Sequence, residues 1–150
     1  MIKKKTKIVK VKFGKKTTIV EPVNLYECSI EDGCFIGPFV EIQKNVIIGK
    51  KSKIQSHTFV CEKVKIGKNC FIGHGVMFTN DKFSRGGPSG RNKIVLTTVG
   101  DNVSIGSNAT ILPIKICSNV VIGAGSVVVK NISKSGVYAG NPARFLKKIK

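Results

Sequence analysis

The feature that most narrows what this chain can fold into is a beat of six. Between Ile30 and Phe78 a large apolar residue returns at every sixth position: Ile30, Ile36, Ile42, Ile48, Ile54, Val60, Ile66, Ile72 and Phe78. An α-helix repeats at about 3.6 residues and a strand at two, so neither carries this column. Two positions before each member stands Cys28, Cys34, Val40, Val46, Ser52, Thr58, Val64, Cys70 or Val76, all small or β-branched. The position just after is often glycine (Gly37, Gly49, Gly67, Gly73), which reads as a corner where the backbone needs freedom of φ. Equal short sides that turn a corner every six residues are the hexapeptide repeat of a parallel β-helix. Three sides close a triangular coil of about eighteen residues, and each coil buries its column only by stacking on its neighbours.

The 150 residues are enough for one domain with a real core, and the whole chain reads as one. Residues 1–16 are an N-terminal cap, 17–131 the coils, and 132–150 a C-terminal cap. In the first segment Ile8, Val9, Val11 and Phe13 alternate with Lys10 and Lys12, as in an exposed strand that covers the first coil. Asn24 stands six before Ile30, where the column calls for an aliphatic residue. Either the first coil is incomplete there or Asn24 faces a site. After Phe78 the beat stops, and residues 80–93 (NDKFSRGGPSGRNK) read as a projecting loop. It resumes at Val99, Ile105 and Ile111, slips by one residue at Pro113, and continues through Ile116, Ile122 and Val128. At the end, Asn141 as N-cap and Pro142 at the first helical position predict a short C-terminal helix with Phe145, Leu146 and Ile149 on one face.

Composition excludes several classes. No run of eighteen apolar residues is present, and the lysine-rich start (Lys3, Lys4, Lys5, Lys7) leads into no apolar signal core, so we expect a cytoplasmic protein with no membrane partner. The five cysteines match no zinc spacing. Cys28, Cys34 and Cys70 take the small inward position and Cys61 and Cys117 a corner. Cys34 and Cys70 lie two coils apart, about 9–10 Å at strand spacing, too far for a disulfide. The net charge of +18 raises nucleic acid as a partner, but few aromatics interleave with the lysines and no nucleic-acid motif occurs. A solvated lysine surface, or a field that attracts small polyanions, fits better.

The chemistry-bearing residues are few. The two histidines, His57 and His74, stand seventeen residues apart, one short of a full coil, which makes them neighbours on adjacent coils. Neither is in the inward column, and a neutral imidazole is the usual general base near neutral pH. Asn80 and Asp81 open the loop. They suit a carbonyl, hydroxyl or amine contact, and equally a turn.

With these residues in view, the chain resembles the left-handed β-helix acyltransferases. The resemblance rests on the hexads and on the segments Ile36 to Gly49 (IGPFVEIQKNVIIG), Gly73 to Asp81 (GHGVMFTND), Ile122 to Val128 (IGAGSVV) and Ala139 to Arg144 (AGNPAR). It is nearest to the nucleotide-linked amino-sugar N-acetyltransferases that supply bacterial surface glycans such as lipopolysaccharide. The resemblance implies an all-β, left-handed fold, a homotrimer with sites between neighbouring prisms, and acetyl-CoA as co-substrate without a metal. It implies His74 or His57 as base and Asn80 as a carbonyl or thiol contact, in chemistry that is largely placement and needs little from a dedicated base. Backbone groups at Gly106, Ala109, Gly123, Ala124 and Gly125 would hold pantetheine, Lys130 and Arg144 the coenzyme phosphates, and Asn24, Glu41, Asp81 and Arg85 the sugar nucleotide. The implied acceptor is a dTDP-linked 3-amino-3,6-dideoxyhexose, with a UDP-linked amino sugar or aminouronate as the alternative. The glycine-rich loop (Gly86, Gly87, Gly90) departs from relatives that carry a longer insertion there.

Two other classes compete. A non-catalytic β-helix scaffold would keep the hexads without needing the histidine pair, the loop or the AGNPAR ending. A carbonic-anhydrase-like β-helix needs three zinc-binding histidines, and the chain has two.

Overall fold

The computed structural model describes residues 7–90 and 94–149. Lys3, Lys4 and Lys5 of the basic cluster, residues 91–93 of the expected loop and Lys150 lie outside the described residues. Among the described residues there are twenty-one short strands and no helix. They wind into a three-sided prism. Face I stacks Ile8–Val9, Asn24–Tyr26, Glu41–Ile42, Phe59–Val60, Met77–Phe78, Thr110–Ile111 and Val127–Val128. Face II runs from Lys12–Phe13 to Lys115–Ile116, and face III from Thr18–Ile19 to the C-terminal strands. The coil pairings are parallel and advance about one coil at a time: Phe59 lies between Glu41 and Met77, and Phe71 between Lys53 and Ser104.

The two inward columns make the core. From Ile30 to Phe78 no member of the apolar column is more than 2% exposed. The small column is buried too, and its polar members from Cys34 to Cys70 are satisfied across coils, whereas the buried Thr97 Oγ1 has no partner among the described residues. Ser52 Oγ donates to the Gly67 carbonyl (2.8 Å), Thr58 Oγ1 to Gly73 (2.9 Å), and the Cys34 and Cys70 thiols to Gly49 (3.2 Å) and Gly100 (3.1 Å). All five cysteines are free. Burial pushes the Cys28 thiol up to about 11 and that of Cys61 to about 12.

The glycines have a different role from the expected one. Gly37, Gly49, Gly67 and Gly73 do not have positive φ. They are required by close approach: a Cβ on Gly49 would fall 2.5 Å from the Gly67 carbonyl carbon, and one on Gly73 2.7 Å from the Ser107 nitrogen. The left-handed residue of each corner comes two positions later, at Phe39, Lys51, His57 and Asn69 among others, with φ from 54° to 62°.

Four further expectations are corrected. Lys7 to Phe13 is not one capping strand: Ile8–Val9 and Lys12–Phe13 are two sides of a coil, paired in parallel with Leu25–Tyr26 and Ser29–Ile30. Asn24 is not in the apolar column, because the adjacent Leu25 is fully buried opposite Ile42 and the first side is one residue short. The loop is wider, with residues 79–90 and 94–96 outside any strand where the chain passes from face I to face II. The C-terminal helix is absent. Gly136–Gly140 extends face III and Ala143–Lys147 returns antiparallel to it, so the segment is a hairpin. A helix this short is marginal alone, whereas the hairpin satisfies a strand edge and sets Phe145 against Tyr138, ring centroids 5.5 Å apart. The slip at Pro113 is a shortened corner: Ile114 stays buried in the small column and Lys115–Ile116 pairs in register with Thr98–Val99.

Candidate functional site

The corner between faces III and I carries both histidines. Backbone hydrogen bonds fix their places in two adjacent columns. His57 N donates to the Pro38 carbonyl (3.1 Å), Gly75 N to that of Ser56 (2.9 Å), and Asn108 N to that of His74 (2.8 Å). His74 therefore stands directly over Ser56 with Ser107 on its other side, and His57 stands over Phe39 with Gly75 on its other side. His74 Nδ1 is 2.8 Å from Ser56 Oγ. The His57 ring stacks on Phe39, centroids 4.8 Å apart and planes 29° apart. Both histidines are exposed. Sequence reading missed Ser56 and Phe39. The signal was the eighteen-residue interval, one full coil, that separates Ser56 from His74 and Phe39 from His57.

The electrostatics of the prism are lopsided. Among the described residues the coils at the histidine corner carry no lysine or arginine, and Glu21 is their sole charged side chain there; Arg144 comes to that corner only on the C-terminal hairpin. Cations stand instead on face II (Lys12, Lys65, Lys115) and at the corner between II and III (Lys15, Lys50, Lys68). From His74 along the stack the histidine corner presents Gly75, Ser107, Ala124 and Gly125, with the exposed Asn108 standing between Gly75 and Gly125. A Cβ on Gly125 would meet nothing within 4 Å. This leaves a shallow, nearly uncharged track beside an imidazole.

The other candidate residues divide between the edges of face I. Asn24 and Glu41 lie near the histidine corner, lining a hollow with Phe39, Pro22 and Val23. Asn24 Nδ2 donates to Glu41 Oε2 (3.1 Å), and Gln43 Nε2 donates to Glu41 Oε1 (3.0 Å). Gly106, Ala124 and Gly125 belong to the histidine corner and Gly123 abuts the Ala139 side chain. Ala109 is fully buried, its amide turned to the Gly106 carbonyl and its own carbonyl accepting from Met77, so it serves the core. Arg144 sits on the hairpin, which is tied to this corner by Gly140 N donating to Ser126 Oγ (3.2 Å).

Asn80, Asp81, Arg85 and Lys130 lie at the opposite edge, the corner between I and II. Asn80 lines a hollow with Gln43, Phe59, Met77 and Phe83. Asp81 and Arg85 line another within the loop. The Asp81 carboxylate clasps that loop: Oδ1 accepts from Phe83 N (2.9 Å) and Ser89 Oγ (2.8 Å), and Oδ2 from Ser89 N (2.6 Å). These donors, the Ser89 amide first, hold its carboxyl below the usual carboxylate range. In a single chain, face I thus stands between the histidines and the loop. Lys130 and Arg144, expected to share the coenzyme phosphates, are at different corners. No cluster of three or more His, Cys, Asp or Glu suited to a metal ion occurs among the described residues, and no helix there is long and apolar enough to cross a membrane.

Comparison with known proteins bears on the coils. Residues 27–62 match the bacterial transferase hexapeptide family (six repeats), and residues 63–77 and 96–130 match the hexapeptide repeat of succinyl-transferase. The chain is 30% identical over 153 residues to the bifunctional protein GlmU of Streptococcus uberis, an alignment covering 95% of this chain and 33% of that protein. The chain spans about a third or less of the length of the curated relatives it matches. Among solved structures, AntD, an N-acyltransferase from Bacillus cereus in complex with dTDP and coenzyme A, superposes with a TM-score of 0.75 at 24% identity, covering 93% of this chain and 83% of that one. A perosamine N-acetyltransferase from Caulobacter crescentus with coenzyme A and GDP-perosamine gives 0.69 at 18%, covering 95% and 58%. Galactoside acetyltransferase in complex with coenzyme A gives 0.70 at 30%, covering 81% and 64%. With its repeats matched over residues 27–77 and 96–130 and its coils those of the left-handed parallel β-helix, the chain belongs to the hexapeptide-repeat acyltransferase superfamily.

Proposed function

We propose that the chain is an acetyl-CoA-dependent N-acetyltransferase acting on the free amine of a nucleotide-linked amino sugar, with a dTDP-linked 3-amino-3,6-dideoxyhexose as the favoured acceptor. The observation that carries this reading is the corner itself: an exposed imidazole with one nitrogen engaged by Ser56, beside an uncharged track of small residues interrupted by Asn108. A thin, extended pantetheine arm suits that track, where backbone groups of Gly106, Ala124 and Gly125 are within reach of its amides. Acetyl-CoA supplies an activated acetyl thioester. The chain places the amine against the thioester carbonyl, and the free nitrogen of His74 takes the amine proton as the C–N bond forms. The C–S bond then breaks and the coenzyme thiolate takes up a proton. His57, stacked on Phe39, shapes the acceptor side beside Asn24 and Glu41.

The division of candidates across face I bears on assembly. A histidine corner and a loop on opposite edges of that face act on one substrate if a second copy brings its loop to the first copy's corner. A homotrimer with sites between prisms does this, and Asn80, Asp81 and Arg85 then reach the acceptor from the neighbouring copy. Phe71, Met77 and Phe83, each at least 43% exposed, are the apolar surface such packing would cover. AntD with dTDP and the perosamine enzyme with a GDP-sugar support a nucleotide-linked acceptor. The product would enter bacterial surface-glycan synthesis from the cytoplasm.

The test is thiol release from acetyl-CoA over a panel of dTDP- and UDP-linked sugars with amines at C3 or C4. Turnover on the dTDP-linked 3-amino member is expected. Turnover confined to a UDP-linked member would move the acceptor. No turnover, with no binding of acetyl-CoA, would leave the scaffold reading in place.

A further inference from the structure

Ser56 lies one coil below His74, and its hydroxyl is 2.8 Å from Nδ1. Among the described residues the hydroxyl has no other hydrogen-bond partner, and Nδ1 is the one ring nitrogen of His74 with a partner. A hydroxyl both donates and accepts, so the contact can run in either direction. If Ser56 donates to Nδ1, the ring proton is on Nε2, and the outward nitrogen has no lone pair for a substrate proton. If Nδ1–H donates to Ser56 Oγ, Nε2 carries the lone pair. Once the imidazole is protonated, both ring nitrogens are donors, and only the second direction survives.

We infer that Ser56 is a positioning residue that accepts from Nδ1–H of His74 and so keeps the lone pair on Nε2, the outward nitrogen. Two observations favour this over a packing role. The same corner column holds Ala124 two coils on, in line with Ser56, His74 and Ser107 through the hydrogen bonds of Gly75, Asn108 and Gly125 to the carbonyls below. The fold therefore does not need a hydroxyl in this column. Ser56 is also only partly buried, so its own proton can turn to water while Oγ accepts from the ring. A hydroxyl in this place fixes the tautomer and the ring plane without adding a charge, and it meets both the neutral and the protonated ring with one hydrogen bond. Its catalytic consequence rests on the acetyltransferase reading; the tautomer does not.

The test is long-range ¹⁵N–¹H correlation NMR on the full chain with ¹⁵N-labelled histidine, at a pH well above the ordinary imidazole value of about 6.5. His57→Asn assigns the two rings. In the wild type His74 should show a protonated Nδ1 and an unprotonated Nε2. Ser56→Ala should move the ring proton toward Nε2, the form free imidazole prefers in water, and Ser56→Thr should restore the wild-type pattern. In turnover, Ser56→Ala should lower kcat about tenfold, the scale of one hydrogen bond, with the KM for acetyl-CoA little changed. A protonated Nε2 in the wild type, or an unchanged tautomer in Ser56→Ala, overturns the inference. If the tautomer moves as expected but no acceptor is ever acetylated, the positioning role stands and the assigned reaction fails.

Discussion

The coils and the loop of this protein are built on opposite terms. In the coils each residue answers to the one a coil away. Gly37, Gly49, Gly67 and Gly73 have no room for a methyl group, the apolar column from Ile30 to Phe78 is buried, and the Ser52 and Thr58 hydroxyls and the Cys34 and Cys70 thiols find carbonyls in the adjoining coil. In the loop after Phe78, a Cβ on Gly86, Gly87 or Gly90 would meet nothing within 4 Å, and one carboxylate, Asp81, ties Phe83 and Ser89 together. The stack is overdetermined and can hold a corner still. The loop is held locally and can vary without cost to the stack. Under the proposed function, rigid placement of the imidazole would belong to the first and choice of acceptor to the second.

The largest effect should follow from breaking the stack. Ile54→Ala removes a fully buried side chain from a column with no slack. It should cost about 2 to 5 kcal/mol, read as a lower urea midpoint. A loss under about 1 kcal/mol would mean that the coils relax freely, contrary to the contrast drawn here.

The loop should respond to acid when the coils do not. The Asp81 carboxyl is held below its ordinary value, so its contribution to loop order is fully present above the unfolded value of about 3.9 and is lost as pH falls through the lower folded value. The amides of Phe83 and Ser89 should lose hydrogen-exchange protection in that window, and Asp81→Ala should expose them at neutral pH. Equal loss across the apolar column would show that the loop is not an independent unit.

A smaller effect is expected at Gly86, where φ is 81° and space is open. Gly86→Ala should cost at most about 1–2 kcal/mol of loop order, from the left-handed backbone alone, and leave the urea midpoint of the stack unchanged. The smallest is a null effect on reactivity. With their thiols raised to about 11 and about 12, Cys28 and Cys61 should resist a disulfide reagent at pH near 8 in the native protein and react on unfolding.

The same contrast explains how far the sequence could be read. Period six marks the inward positions because burial leaves so few residue types for them, and the column from Ile30 to Phe78 could be read directly. Outward positions obey no such rule. The helix expected from Asn141 would gather Phe145, Leu146 and Ile149 on one face, whereas in the hairpin all three stay exposed. The choice fell to a partner strand, Gly136–Gly140, that only the finished stack supplies. The corner glycines were visible, but their cause was a contact one coil away, not their own φ. His57 and His74 were correctly placed on neighbouring coils by their interval. Their own column partners, Phe39 and Ser56, needed the same arithmetic carried one full coil. That face I separates the histidines from Asn80 and Asp81 could not be seen along the chain, where they lie six or seven residues after His74.

The central claim is that the histidine corner is where acetyl transfer occurs, with His74 as base. The most direct measurement is coenzyme A release by the wild type, His74→Asn and His57→Asn on the accepted sugar nucleotide. The account predicts that His74→Asn lowers kcat about a hundredfold or more with acetyl-CoA binding retained, while His57→Asn acts mainly on the KM for the acceptor. Wild-type turnover by His74→Asn would contradict it and move the chemistry away from this corner.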